Sequence, residues 1–239
     1  KETLVGLAVA GVTSSVVGFY EIINSYGRYF WKALNCSIFI PNKKVYVSLS
    51  YLLRIKLHGS EKYLLVRGSK IDQYQPVGGV YKLVGNKCII KEWEAEPKSD
   101  KKNQKDLRFF VKAKYLPQII KWFKSGKDRE VGIWREFFEE LVETKIVSKK
   151  NFSTINAEQI KTVDKLLIKE NRFKDETYHT LIYNIFSVEL NNKQTKELEK
   201  LMTSNSITND YAFVTRDEIE KECFNNSKTR IGQHTKHII

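Results

Sequence analysis

Arg135-Glu136-Phe137-Phe138-Glu139-Glu140-Leu141 lies inside an amphipathic stretch that runs from Glu130 to Val142. Glu136, Glu139 and Glu140 stand at i, i+3 and i+4, which puts three carboxylates on one face of a 3.6-residue helix. Trp134, Phe137, Phe138 and Leu141 make the opposite side apolar. Three hard oxygen donors on one face suit magnesium or manganese, and a metal held there would polarise a phosphoryl oxygen. Arg135 stands four residues before Glu139, the spacing of a helical ion pair that fixes a rotamer. A surface helix with acidic residues and one such pair has the same spacing, so the run by itself leaves both readings open.

The flanking sequence alternates strands and helices. Val45 to Leu57 and Lys62 to Val66 are β-branched and aromatic runs separated by His58-Gly59-Ser60, the pattern of a hairpin. Val80 to Leu83 and Lys87 to Trp93 flank the turn signal Gly85-Asn86, and Leu107 to Val111 reads as a further strand. Tyr115 to Lys124 carries Leu116, Ile119, Ile120 and Phe123 at helical spacing. Val163 to Ile168 and Tyr178 to Leu190 read as strands, Lys193 to Met202 as a helix and Tyr211 to Val214 as a strand. Thr215 followed by Glu218 is a capping box that opens a helix over Arg216 to Cys223. This order predicts one mixed α/β domain without internal repeats.

Composition narrows the classes. The chain has 239 residues, 41% hydrophobic and 29% charged, with 12 Gly and 4 Pro, so it is neither disordered nor fibrous. Cys36, Cys88 and Cys223 are odd in number and share no metal-ligand spacing, which argues against a disulfide framework and a structural zinc site. A net charge of +13 attracts phosphate as nucleic acid, soluble nucleotide or anionic lipid. The lysine-rich patch from Lys98 to Lys105 also holds Asp100, Asn103 and Gln104 and reads equally well as a solvated loop.

The N-terminus is different. Thr3 to Tyr20 is eighteen residues without a charge, with Gly6, Gly11 and Gly18 suited to close helix packing. That length is near the lower limit of roughly 17–25 residues for crossing a bilayer. Tyr26, Arg28, Tyr29, Trp31 and Lys32 follow as an aromatic and basic cluster of the kind found at a cytoplasmic interface. A buried glycine-containing helix packed on the domain or on a second subunit is the alternative. The division is therefore 1–34, a hydrophobic helix with a juxtamembrane segment, and 35–239, the α/β domain.

REFFEEL resembles the central run of the Nudix box, and Gln75-Pro76-Val77-Gly78-Gly79 looks like the glycine turn that opens it. The match departs from the pattern in three places. Gly79 and Arg135 stand 56 positions apart, so an insertion splits the box; Lys127 stands where a glutamate is usual, with Glu130 closer in; and Val142 replaces a glycine. Together with the hydrophobic N-terminus, the chain resembles the SMODS-associated Nudix domain of bacterial CBASS anti-phage systems. The likeness also takes in the YLLRIKL and KYLLV strands, DLRFFV (Asp106 to Val111) and the closing RIGQHTKHII (Arg230 to Ile239).

That resemblance implies an α/β/α sandwich with a mixed sheet. It implies an inner-membrane effector whose Nudix domain faces the cytoplasm, binds a cyclic oligonucleotide and drives homo-oligomerisation and membrane damage. Gly78 and Gly79 would allow close backbone approach to a phosphate. Lys82 and Arg67 are candidates for phosphate pairing, and Tyr74 and Tyr81 for base stacking. Glu136, Glu139, Glu140 and Arg135 would be the metal and catalytic residues of the alternative, a magnesium- or manganese-dependent hydrolase of a nucleoside diphosphate derivative. Arg230 and Lys236 could close over a nucleotide, His234 and His237 read as tail residues, and no stable nucleic-acid partner is expected.

Overall fold

The computed structural model describes residues 31–68, 71–84, 88–98, 105–130, 132–170, 178–224 and 229–239. The uncharged stretch Thr3 to Tyr20 and the turn Gly85-Asn86 lie outside them. Among the described residues no helix is long and apolar enough to cross a membrane.

In chain order the elements are β1 (Lys44–Arg54), β2 (Lys56–Leu57), β3 (Lys62–Arg67), β4 (Tyr74–Gln75), β5 (Gly78–Val80) and β6 (Lys82–Leu83). A short helix α1 (Cys88–Glu92) leads to β7 (Glu96–Pro97), β8 (Arg108–Lys112), α2 (Leu116–Ser125) and β9 (Arg129–Glu130). Then follow α3 (Ile133–Phe137), which runs on into a π-helical stretch over Phe138–Val142, β10 (Asn156–Ile168) and β11 (Tyr178–Glu189). The last elements are α4 (Asn192–Ser204), β12 (Tyr211–Val214), α5 (Arg216–Lys221) and a closing 3-10 turn over Gln233–Ile238.

The main sheet is mixed, in the order β10-β11-β1-β8-β7, with β5 also on β1. β1 is its centre: it pairs parallel with β11 from Val45↔Tyr178 to Arg54↔Ser187, and antiparallel with both β8 and β5. A strand walled on both faces reads as a continuous apolar run, and Val45 to Leu53 is buried throughout. Its two faces differ in use. Val45, Val47, Leu49, Tyr51 and Leu53 point into the larger hydrophobic cluster with Leu116, Ile119 and Phe123 of α2 and Phe137 and Leu141 of the box helix. On the other face Leu52 joins Ile185, Ile219, Ile231 and Ile238 in a second cluster. The mixed α/β sheet thus carries α2 and the box helix on one face, and the closing 3-10 turn with Ile219 of α5 on the other.

A second sheet, β12-β3-β2 with β4 on β3, and the pair β6-β9 complete the strands among the described residues. Three expectations need correction. Lys87 to Trp93 is not a strand: over Cys88–Glu92 it is the helix α1, because Ile89, Ile90 and Trp93 share one helical face and pack on the core. Trp93 then sits between Phe109 and Trp122, with ring centroids 6.1 and 5.2 Å away. The run Val45 to Leu57 is interrupted at Ile55, whose carbonyl accepts from the Leu64 amide at 2.9 Å. The box helix starts at Ile133 rather than Glu130, because Arg129–Glu130 is taken up by β6 in the pairs Lys82↔Glu130 and Leu83↔Arg129. By contrast, Thr215 and Glu218 form the full capping box, and Gly126 ends α2 at φ 74°.

The insertion that splits the box has a structural use. It supplies β8 and β7 to the main sheet. Its two ends are joined by the β6-β9 pair, which returns the chain to the glycine turn just before α3 begins.

Candidate functional site: a glycine-floored cleft beside the box helix

Two strands share one edge of β1 in succession. β8 pairs with Lys44 to Ser48 and β5 with Ser50 to Leu52. They part at Leu49, whose amide donates to Leu107 O and whose carbonyl accepts from Tyr81 N, each at 3.0 Å. A cleft of about 470 Å³ opens across this parting, within the range of about 300–1,000 Å³ common for small-molecule sites. Its wall includes Tyr46, Ser48 and Ser50 from one face of β1. The two serine hydroxyls lie 3.1 Å apart.

Gly78 and Gly79 line the cleft and join the two halves of the box. A Cβ on Gly78 would collide with the Tyr51 carbonyl, so any side chain there would force the strands apart. A Cβ on Gly79 would lie 2.7 Å from the carboxyl carbon of Glu136. The paired glycines therefore let the first carboxylate of the box helix pack directly over the β5 backbone, despite the long insertion.

Arg135 organises the carboxylates. Its Nη2 lies 2.6 Å from Glu136 Oε1, and its Nη1 donates to both oxygens of Glu139 at 3.2 and 3.3 Å. Glu139 is well exposed, whereas Glu136 lies in the cleft wall. Glu140 turns inward and accepts from the Gly78 amide, while its Oε2 is buried without a partner. Burial, then the nearby Glu136 charge, pushes the Glu140 carboxyl up to about 8. Burial likewise raises Glu136, opposed by the Arg135 guanidinium. The buried Tyr51 hydroxyl faces this group without a hydrogen-bond partner, and burial and then Glu136 push its ionisation up.

The sequence model of one family, the SMODS-associated NUDIX domain, matches residues 44–239. The chain belongs to that family. Comparisons with curated proteins and with solved structures found no match.

A Nudix box implies a divalent cation on its glutamates, and the side chains here do not fit one. A shared i, i+3, i+4 face requires a regular α-helix. From Phe138 the helix widens, with Glu143 N donating to Phe138 O at 2.9 Å. Glu139 faces solvent and Glu140 the interior, and Arg135 engages Glu136 and Glu139. Among the described residues no group of three His, Cys, Asp or Glu side chains could hold a metal ion.

The candidate nucleotide-binding residues divide. Gly78, Gly79 and Lys82 line the cleft of this Nudix domain. Arg67, Tyr74 and Tyr81 do not. Arg67 pairs with Asp72 and lies over the Tyr74 ring. Tyr74 is buried and donates its hydroxyl hydrogen to the Thr208 carbonyl. Tyr81 is fully buried, packed edge-on to Tyr51 and Phe123, and its hydroxyl accepts from Asn184 Nδ2 at 2.7 Å. Neither ring offers a face to a base. Lys236 pairs with Glu222 at 2.6 Å.

Sequence reasoning missed Ser48, Ser50, Lys98, Arg108, Tyr183 and His234, all of which line the cleft. Two serines at i, i+2 within an otherwise apolar and aromatic strand were a usable signal, because that spacing repeats on one face. Arg108, whose Nη2 is 2.9 Å from Asp106 Oδ2, carried no such mark.

Proposed function

We propose that this domain is the receptor part of a membrane-anchored anti-phage effector of the CBASS type, and that its cleft binds a cyclic oligonucleotide. The observation that carries the reading is the charge of the cleft. Lys82, Lys98, Arg108 and Arg135 line it against two carboxylates, Asp106 and Glu136, each already engaged by an arginine. A wall with that excess of cations, a bare glycine backbone and a hydroxyl pair matches phosphodiester groups. Tyr183, partly exposed in the cleft wall with its ring centroid 5.1 Å from that of His237, supplies an aromatic surface beside which a base would lie. The uncharged Thr3 to Tyr20 stretch and the basic, aromatic residues after it support attachment to an inner membrane with the domain on the cytoplasmic side. Ligand binding then favours one homo-oligomeric assembly, which disrupts the bilayer.

Calorimetric titration of the full chain in detergent with a panel of cyclic di- and trinucleotides tests this. Binding is expected in EDTA, since Arg135 already provides the cation among the carboxylates. Lys82→Glu should weaken it at least about tenfold, the effect of reversing one charge contact to phosphate. No binding by any member of the panel, or equal binding by the variant, overturns the reading. Duplex DNA should show no comparable salt-dependent binding.

One observation favours the second reading, a hydrolase. A buried carboxyl held up near 8 with one unpartnered oxygen, Glu140, is a competent proton acceptor or donor near neutral pH. If the domain cleaves a nucleotide, with or without added manganese, mass spectrometry should find products that disappear in both Glu136→Gln and Glu140→Gln. Turnover that persists in both variants dismisses the assignment.

A further inference from the structure

A second depression lies away from the cleft and is made of different material. It holds about 310 Å³ between the helical turn at 31–34, helix α2 and the end of the β10-β11 pair. Ala33, Cys36, Leu116, Ile120, Leu166 and Leu167 wall it with alkyl groups and one buried thiol. Three lysines stand along its border: Lys32, Lys121 and Lys124.

The sequence explains why the groove stays open. Leu116, Ile120 and Lys124 repeat at i, i+4 and i+8, so one stripe of α2 runs apolar, apolar, basic along the groove. On the opposite wall the β10 register shifts between Lys165 and Ile168, and Leu167 adopts φ 53°. The Leu166 carbonyl is bonded there by Lys32 Nζ at 2.5 Å. That bond ties the entry segment to the sheet with an alkyl-lined space beneath it.

The surroundings say what fits. Trp31, Ile38 and Phe39 are 66%, 62% and 72% exposed on the same entry segment. Large exposed apolar side chains grouped in this way mark an interaction surface. Trp31 and Lys32 follow closely on the uncharged stretch ending at Tyr20. Aromatic residues and lysines beside an apolar surface suit the headgroup level of a bilayer, where lysine stems cover hydrocarbon and their ammonium groups meet anionic lipid.

We infer that this groove takes an acyl chain of an anionic phospholipid, with Lys121 and Lys124 meeting its phosphate. The inference rests on the membrane attachment proposed above. It adds that the α/β domain itself reads the lipid surface, through α2, rather than hanging from its anchor alone.

Native mass spectrometry of the full chain in mild detergent, with phosphatidylglycerol or phosphatidylcholine added, tests it. The expected result is one retained phosphatidylglycerol per chain, preferred at least tenfold over phosphatidylcholine. Ile120→Trp, which fills the groove, should abolish retention. Lys121→Glu, an exposed substitution whose circular dichroism should match the wild type, should remove the preference while leaving some lipid bound. Equal retention by the wild type and both variants, equal retention of the two lipids, or no retention overturns the inference. So does a groove that mediates dimerisation, seen as a dimer lost in Ile120→Trp with no lipid attached.

Flotation with phosphatidylglycerol vesicles separates the two ideas. A chain that floats but retains no lipid in detergent removes the groove and keeps the anchor. A chain that fails to float but retains the lipid through Ile120 keeps the groove and removes the anchor.

Discussion

The cleft and the groove are built by opposite means. In the cleft, backbone meets backbone at Gly78, a carboxylate lies over Gly79, and charged groups are held by one another. In the groove, alkyl side chains from α2 and the β10-β11 end enclose a space, with the hydrogen bonds Lys32 Nζ to Leu166 O and Leu167 N to Thr180 Oγ1 beside it. The first arrangement leaves little room for changes in volume or protonation. The second depends on area buried and tolerates both. Substitution, pH and conservative repacking should therefore affect the two regions very differently.

The largest difference is expected at the glycines. In Gly78→Ala the new Cβ meets the Tyr51 main chain, which is held in register by β11 on its other side, so no flexible group can give way. Such overpacking against backbone should destabilise the domain by about 3 kcal/mol in urea unfolding. Gly79→Ala meets the Glu136 side chain instead, which can move, so it should cost clearly less while displacing that carboxylate. Equal losses for the two variants would mean that the β1-β5 contact is not the rigid part of the floor.

Much of the fold was legible because its signals are local. β1, β3, α2 and the Thr215 capping box follow from strand and helix periodicity and from cap chemistry, and neighbours in sequence decide those. The failures came where the deciding contact is remote. Lys87 to Trp93 reads as β-branched and aromatic, yet Phe109 and Trp122 select its helical face. Tyr74 stands between two glutamines and Tyr81 next to Lys82, as cleft or core residues both could, and their burial against Thr208 and Asn184 shows that they are core. The carboxylate face of the box helix was drawn on a regular helix, and the π-helical widening after Phe137 was not visible in residue types. Ser48 and Ser50 were legible as a polar pair on one face of β1, but that this face walls a cleft depends on where β8 and β5 part.

Protonation should come next in size. The Glu140 carboxyl is raised from 4.5 to about 8 in the folded chain. A raised carboxyl binds its proton more tightly folded than unfolded, so its contribution is fully present below about 4.5 and is lost as pH rises through about 8. Between pH 5 and pH 9 the wild type should lose about 4 kcal/mol through this group alone. Glu140→Gln keeps an acceptor for the Gly78 amide and has nothing to titrate. Its stability relative to the wild type should therefore increase with pH. Parallel profiles for the two proteins would show that Glu140 is ionised throughout, and the hydrolase reading would lose its proton carrier. No comparable pH dependence is expected from the alkyl wall of the groove.

The smallest effect belongs to Ile120→Val. Ile120 is partly buried and packs on the larger hydrophobic cluster beside an open space, so the methyl group removed leaves little new cavity. Loss of one such group should cost about 0.5 kcal/mol, the low end for Ile→Val, with no change between low and high salt. A loss near 1.5 kcal/mol or above, the other end of that range, would mean that the side chain is tightly enclosed and that the space beside it is closed in solution. The groove would then resemble the floor of the cleft in its intolerance of volume change. A small loss keeps the contrast, and it leaves Ile120 available to contact a lipid chain without being needed to hold α2 on the sheet.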